Sequence, residues 1–172
     1  MREVIRVVIL PLILMGGILG IFYLVFGRRI REREDPHGVR THATFDGFDM
    51  DSEDSARAGQ TIAGKLHGQL KKTGLDVNAV EPENYGWKLE AGAEKQGFIV
   101  RIGHLGDDAA PWLLYVDPMR ATRGAVEDSP GLRRMLTECH SALGGMGAKT
   151  IAWHRREDHA TGHRDRGVKR PF

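Results

Sequence analysis

The chain is short of the residues that most often carry chemistry. It has one cysteine, Cys139, in 172 residues, so it forms no internal disulfide and no multi-cysteine zinc site. It has four serines, none of them in a Gly-x-Ser-x-Gly turn, which removes the usual nucleophile elbow. Cys139 lies on the apolar side of a candidate helix, and its neighbour His140 points about 100° away around that helix, so the two do not make a nucleophile and base pair. Aromatic residues are 7% of the chain, and 25 Lys plus Arg stand against 23 Asp plus Glu, a net charge of +2. That balance gives no electrostatic case for nucleic acid. With 41% hydrophobic and 28% charged residues the composition is that of an ordinary globular protein, which excludes collagen-like and wholly disordered classes.

One long hydrophobic run is present. From Val7 to Phe26 the sequence VVILPLILMGGILGIFYLVF holds no charge, and 20 helical residues reach about 30 Å, the thickness of a bilayer's hydrocarbon core. The run is longer than a signal-peptide core and lacks a small-x-small cleavage site after it, so it is read as a single transmembrane helix. Pro11 falls in its first half, and Gly16 and Gly20 have the small-xxx-small spacing that lets two membrane helices approach. Arg28 and Arg29 close the segment at the headgroup level. With Arg31 and Arg33 they outweigh the positive charge before Val7, which places the following domain on the cytoplasmic side.

Four parts are expected: an anchor over 1–27, a charged juxtamembrane stalk over 28–40, an α+β domain over 41–154 and a basic flexible tail over 155–172. In the domain, helical periodicity from Glu53 to Thr73 ends at Gly74, and Ile62, Ala63, Leu66 and Leu70 form one apolar stripe. Three alternating or apolar runs come next, around Tyr85–Ala91, Phe98–Ile102 and Trp112–Val116, and read as an antiparallel meander. Thr41–Phe48 and Leu75–Val80 are further strand candidates. Ser129 as cap and Pro130 at the first helical position open a second helix that stops at Gly144-Gly145, and Thr150–His154 reads as a last strand. The expected fold is therefore an antiparallel sheet of three to five strands packed by two helices.

Several chemical patterns are incomplete. The acids from Asp46 to Asp54 lack the glycine and the terminal glutamate of a calcium loop, and read as the start of a helix. The segment Gly144–Thr150 has Ala148 where a phosphate loop needs glycine, and a helix before it rather than after. His154, Glu157, Asp158, His159 and His163 are dense but off by one residue from the inverted zinc-protease spacing. No catalytic residue, metal ligand or cofactor is assigned.

The resulting expectation is a single-pass, membrane-anchored, non-enzymatic interaction module: an accessory subunit, a sensor or an immunity-like binder. Its partners would be membrane lipid and a protein or membrane complex, with homodimerisation through Gly16 and Gly20 and no specific nucleic acid. Trp87, Trp112 and Trp153, one on each of three candidate strands, are the partner-contact candidates. Two alternatives stand beside it: a membrane-anchored metal-dependent hydrolase or nuclease using Glu83, Lys88 and Glu90 or the His154–His163 cluster, and a lipid-surface assembly factor using Arg28 to Arg33 and the tail.

Overall fold

The structure is a computed structural model that describes residues 39–46, 55–106, 112–119, 128–160 and 166–172. The expected anchor, with Val7, Pro11, Gly16, Gly20, Phe26, Arg28 and Arg29, lies outside the described residues. Among those residues no helix is long and apolar enough to cross a membrane.

The element order is β1 (His42–Asp46), α1 (Ser55–Lys72), β2 (Asp76–Val77), β3 (Glu81–Glu83), β4 (Gly86–Ala93), β5 (Gln96–His104), β6 (Trp112–Pro118), α2 (Pro130–Gly145), β7 (Lys149–His154) and α3 (Arg156–Ala160). All strands join one antiparallel sheet in the order β2-β4-β5-β6-β1-β7, with β3 following β2 along the same edge of β4. The fold is α+β, as the sequence indicates.

The meander β4-β5-β6 forms because its strands alternate: Leu89, Ala91, Ala93, Phe98, Val100, Ile102, Trp112, Leu114 and Val116 are buried, and the residues between them are not. A turn of two residues, Glu94 and Lys95, joins β4 to β5. Both have positive φ, 49° and 66°, the paired left-handed geometry that matches the twist of an antiparallel hairpin. The sheet has seven strands, above the three to five expected. The strand without a sequence signal is β3, Glu-Pro-Glu, wholly exposed and with no apolar alternation; its proline suits an edge.

Helix α1 turns its stripe of Ala58, Ile62, Ala63, Leu66 and Leu70 to the sheet and ends at Gly74, with φ 77°. Helix α2 starts at Ser129, whose hydroxyl accepts from the Leu132 N–H at 3.2 Å and donates to Gln96 Oε1 at 2.6 Å. The glycine-rich segment after it is a helix stop: Ala148 N–H donates to Leu143 O at 3.0 Å, and Gly147 takes φ 91°.

The first strand ends up inside the sheet. β1 pairs with β6 on one side and β7 on the other, so Ala43 and Phe45 meet the helices, while His42 and Thr44 face the opposite side and are also buried. The residues C-terminal to β7 cover them there. The sequence reading makes 155–172 a flexible tail, but part of it returns to the domain. Arg156–Ala160 is a helical turn, Val168 exchanges backbone hydrogen bonds with Trp153, Pro171 O accepts from Arg40 N–H at 2.9 Å, and Arg133 lies over the Phe172 ring at 5.2 Å. Burial of Pro171 and the backbone pairing of Val168 give these residues contacts that a charge count does not reveal.

Candidate functional site

Paired residues in antiparallel strands share a face, so the register defines one lateral row across the side of the sheet away from α1 and α2. It runs Glu81, Lys88, Arg101, Tyr115, His42, His154 over six strands. The row is held by charge at one end and by rings at the other. Lys88 Nζ meets Glu81 at 3.1 Å. Arg101 donates through Nε to Glu83 at 2.8 Å and through Nη1 to Asp117 at 3.0 Å, and its guanidinium lies 5.4 Å from the Tyr115 ring centre. Tyr115 stacks on His42 at 5.3 Å and 10° between planes. Burial raises the Tyr115 hydroxyl above its ordinary pKa, against the lowering effect of Arg101.

At the β1/β7 end the row is roofed. His159 of α3 sits 5.3 Å from the His42 ring and 6.3 Å from the His154 ring. Thr41 Oγ1 and His42 Nδ1 are 3.0 Å apart, and Thr44 Oγ1 and His154 Nε2 are 2.8 Å apart. Burial pushes His42 down to about 4, helped by the nearby charges of His159, Arg156 and His154. His154 and His159 are near neighbours in sequence, and His42 joins them from the other end of the domain. Among the described residues no group of three His, Cys, Asp or Glu side chains is arranged to hold a metal ion.

Over β4, β5 and β6 the row is open to solvent. There a trough of about 420 Å³ is lined by Glu83, Tyr85, Arg101, His104, Leu113 and Tyr115, among others. Its floor is low because two glycines, Gly86 opposite Glu83 and Gly103 opposite Leu113, follow Lys88 and Arg101 on that face. A Cβ at Gly86 would run into Ile102 O, and one at Gly103 would lie 2.9 Å from Tyr85 O, so close strand approach excludes side chains from both positions. Tyr85 stands at the rim, 92% exposed, a large aromatic surface with almost no protein contact.

Of the tryptophans chosen from sequence, Trp87 is among the residues that line the trough although its ring meets α1, and Trp112 and Trp153 are buried on the helix-covered face. Trp87 and Trp112 meet over α1 at Gly59, where a Cβ would be 3.0 Å from Trp87 and 3.3 Å from Trp112, and Trp87 Nε1 donates to Ala56 O at 3.3 Å. Trp153 is fully buried and donates to His140 Nδ1 at 3.1 Å, near α2. Burial, with Arg170 nearby, lowers the pKa of His140 and so favours the neutral ring that accepts this bond. All three fix helices to the sheet, and of them only Trp87 keeps appreciable exposure. Cys139 is fully buried, its thiol pushed up to about 12, chiefly by desolvation.

The candidate residues of a hydrolase reading gather around Lys88 on the open face, where Glu81, Glu90 and Glu83 together raise the pKa of its amine, but the carboxylates are engaged. Glu83 pairs with Arg101, Lys88 with Glu81, and Glu90 accepts from Asn78 at 3.3 Å. Sequence reasoning missed Tyr85, Arg101 and Tyr115 as one site, because their convergence depends on register. The legible signal was Tyr85-Gly86 ahead of β4 together with Gly103 near the end of β5.

Compared with models of known protein families, with curated proteins and with solved structures, the chain has no significant match.

Proposed function

We propose that this chain is a membrane-tethered interaction module that presents the open face of its sheet to a protein partner. Val7–Phe26 serves as the tether, and the domain lies on the cytoplasmic side. The observation that carries this reading is the trough around Arg101, with Tyr85 92% exposed at its rim. A rigid aromatic beside a paired arginine is the kind of anchor that dominates protein interfaces. Arg101 suits recognition better than catalysis, since two carboxylates already hold it in place. An interface there would need no rearrangement of the sheet.

The test is purification of the full-length chain in mild detergent, followed by mass spectrometry of what remains bound, for the native sequence and for Tyr85→Ala. Truncating an interface anchor costs about 2 kcal/mol or more, roughly 30-fold in affinity. A stoichiometric partner retained by the native chain and lost from Tyr85→Ala supports the reading. A chain that is monomeric and free of partners in both forms refutes it.

A further inference from the structure

Helix α1, Ser55–Lys72, contains four basic residues and no acidic one. At about 100° per residue Arg57, Lys65, Lys71 and Lys72 fall within one sector about 120° wide, centred opposite Ile62, Leu66 and Leu70. All four are exposed, and the three apolar residues are fully buried. The basic sector extends about 22 Å along the helix. Between its cations lie Thr61, Gly64 and Gly68; a Cβ added at either glycine would meet nothing within 4 Å. The stripe is therefore smooth, positive and uninterrupted by aromatic or large apolar side chains.

The three lysines of this face differ from the cations of the open face. Both cations of the open sheet face are paired, Lys88 with Glu81 and Arg101 with Glu83 and Asp117. On α2, Arg133 pairs with Asp128 and Arg134 with Glu94. Among the described residues Lys65, Lys71 and Lys72 have no carboxylate within ion-pair distance. A flat row of cations with no stacking aromatic is poorly suited to single-stranded nucleic acid. It suits an extended anionic plane, where each Lys or Arg near the surface contributes about a fivefold gain in association.

We infer that the outer face of α1 rests on an anionic lipid leaflet. This rests on the proposed tether, which holds the domain near the bilayer so that a few weak contacts suffice to orient it. Because α1 and the row of Arg101 and Tyr115 lie on opposite faces of the sheet, a domain seated on α1 turns that row away from the lipid and toward a partner. The contact is electrostatic and shallow, since the stripe offers nothing to insert, and it weakens with salt.

The test reconstitutes the full-length chain in phosphatidylcholine vesicles with or without 30% phosphatidylserine and follows acylation of individual lysines by an amine-reactive reagent. Lys65, Lys71 and Lys72 are expected to react about tenfold more slowly on the anionic vesicles at 0.1 M salt, and at the neutral-vesicle rate at 0.5 M salt. Lys88 and Lys95 serve as controls that keep the same rate. In K65Q/K72Q the remaining Lys71 loses most of its protection. Equal rates on both vesicles, protection of Lys88 and Lys95 to the same degree, or unchanged protection of Lys71 in the double variant would each overturn the inference. Alkaline carbonate extraction of the same vesicles reports separately on the tether: a chain washed off by carbonate refutes the anchor itself, whereas a retained chain with unprotected lysines refutes only the role of α1.

Discussion

At the scale of single residues, His42 and Arg101 show how one row of side chains divides into a closed end and an open end. His42 is 8% exposed, lies among His154, His159 and Arg156, and stacks on Tyr115. Its pKa in the folded protein is about 4, against 6.5 for a free imidazole. The unfolded chain therefore takes up the proton first as pH falls. The stability linked to neutral His42 is complete above about pH 6.5 and is lost as pH falls toward 4, in total about 3 kcal/mol. Urea unfolding of the full chain in detergent, followed by tryptophan fluorescence at pH 7 and pH 4.5, checks this. His42→Phe keeps a ring against Tyr115 but binds no proton, so it should show a smaller loss between the two pH values than the native chain. Arg101 carries the opposite logic. Its partners Glu83 and Asp117 are 38% and 25% exposed, so solvent screens both pairs. Arg101→Leu should cost only about 1 to 2 kcal/mol in the same measurement, while removing the positive centre of the trough.

Elements were legible in the sequence wherever a local rule was enough. Ser129-Pro130 announced α2, Gly74 ended α1, and alternation marked β4, β5 and β6, because capping, left-handed glycine and side-chain period act within a few residues. β3 was not legible, since Glu-Pro-Glu carries none of these signals and is a strand only by pairing with β4. The tryptophans fall on the strands the sequence indicates, but alternation does not say which side of the sheet receives the helices, so the burial of Trp112 and Trp153 against them is not legible. The β4-β5 turn is a case where pairing overrides local preference. Glu94 and Lys95 both hold left-handed geometry that glycine adopts freely, and Arg134 pins Glu94 at 2.8 Å. Lys95→Gly should accordingly raise stability by about 0.5 to 1 kcal/mol. Ser129→Ala should lower it by about 1 kcal/mol through loss of the cap and of the bond to Gln96. Denaturant midpoints of the two variants would move in opposite directions.

At the scale of the whole domain, Val39–Phe172, the described residues form a sheet with two unlike sides. One side is covered by α1 and α2, and α1 turns a row of cations outward. The other is roofed by α3 and the C-terminal residues over β1 and β7 and left open over β4 to β6. This asymmetry was beyond the sequence, because it arises from β1 inserting between β6 and β7 and from Val168 and Pro171 returning to the domain. If the open side is the one that meets a protein, proximity to that protein should be detectable there and not on α1. A photo-activated cross-linking residue placed at position 85 on the trough rim, or at position 61 on the outer face of α1, reads this in the full-length chain in native membranes. A discrete heavier species of constant composition is predicted from position 85 and none from position 61. Absence of any adduct at position 85, or the same protein adducts from both positions, would contradict the proposed interface.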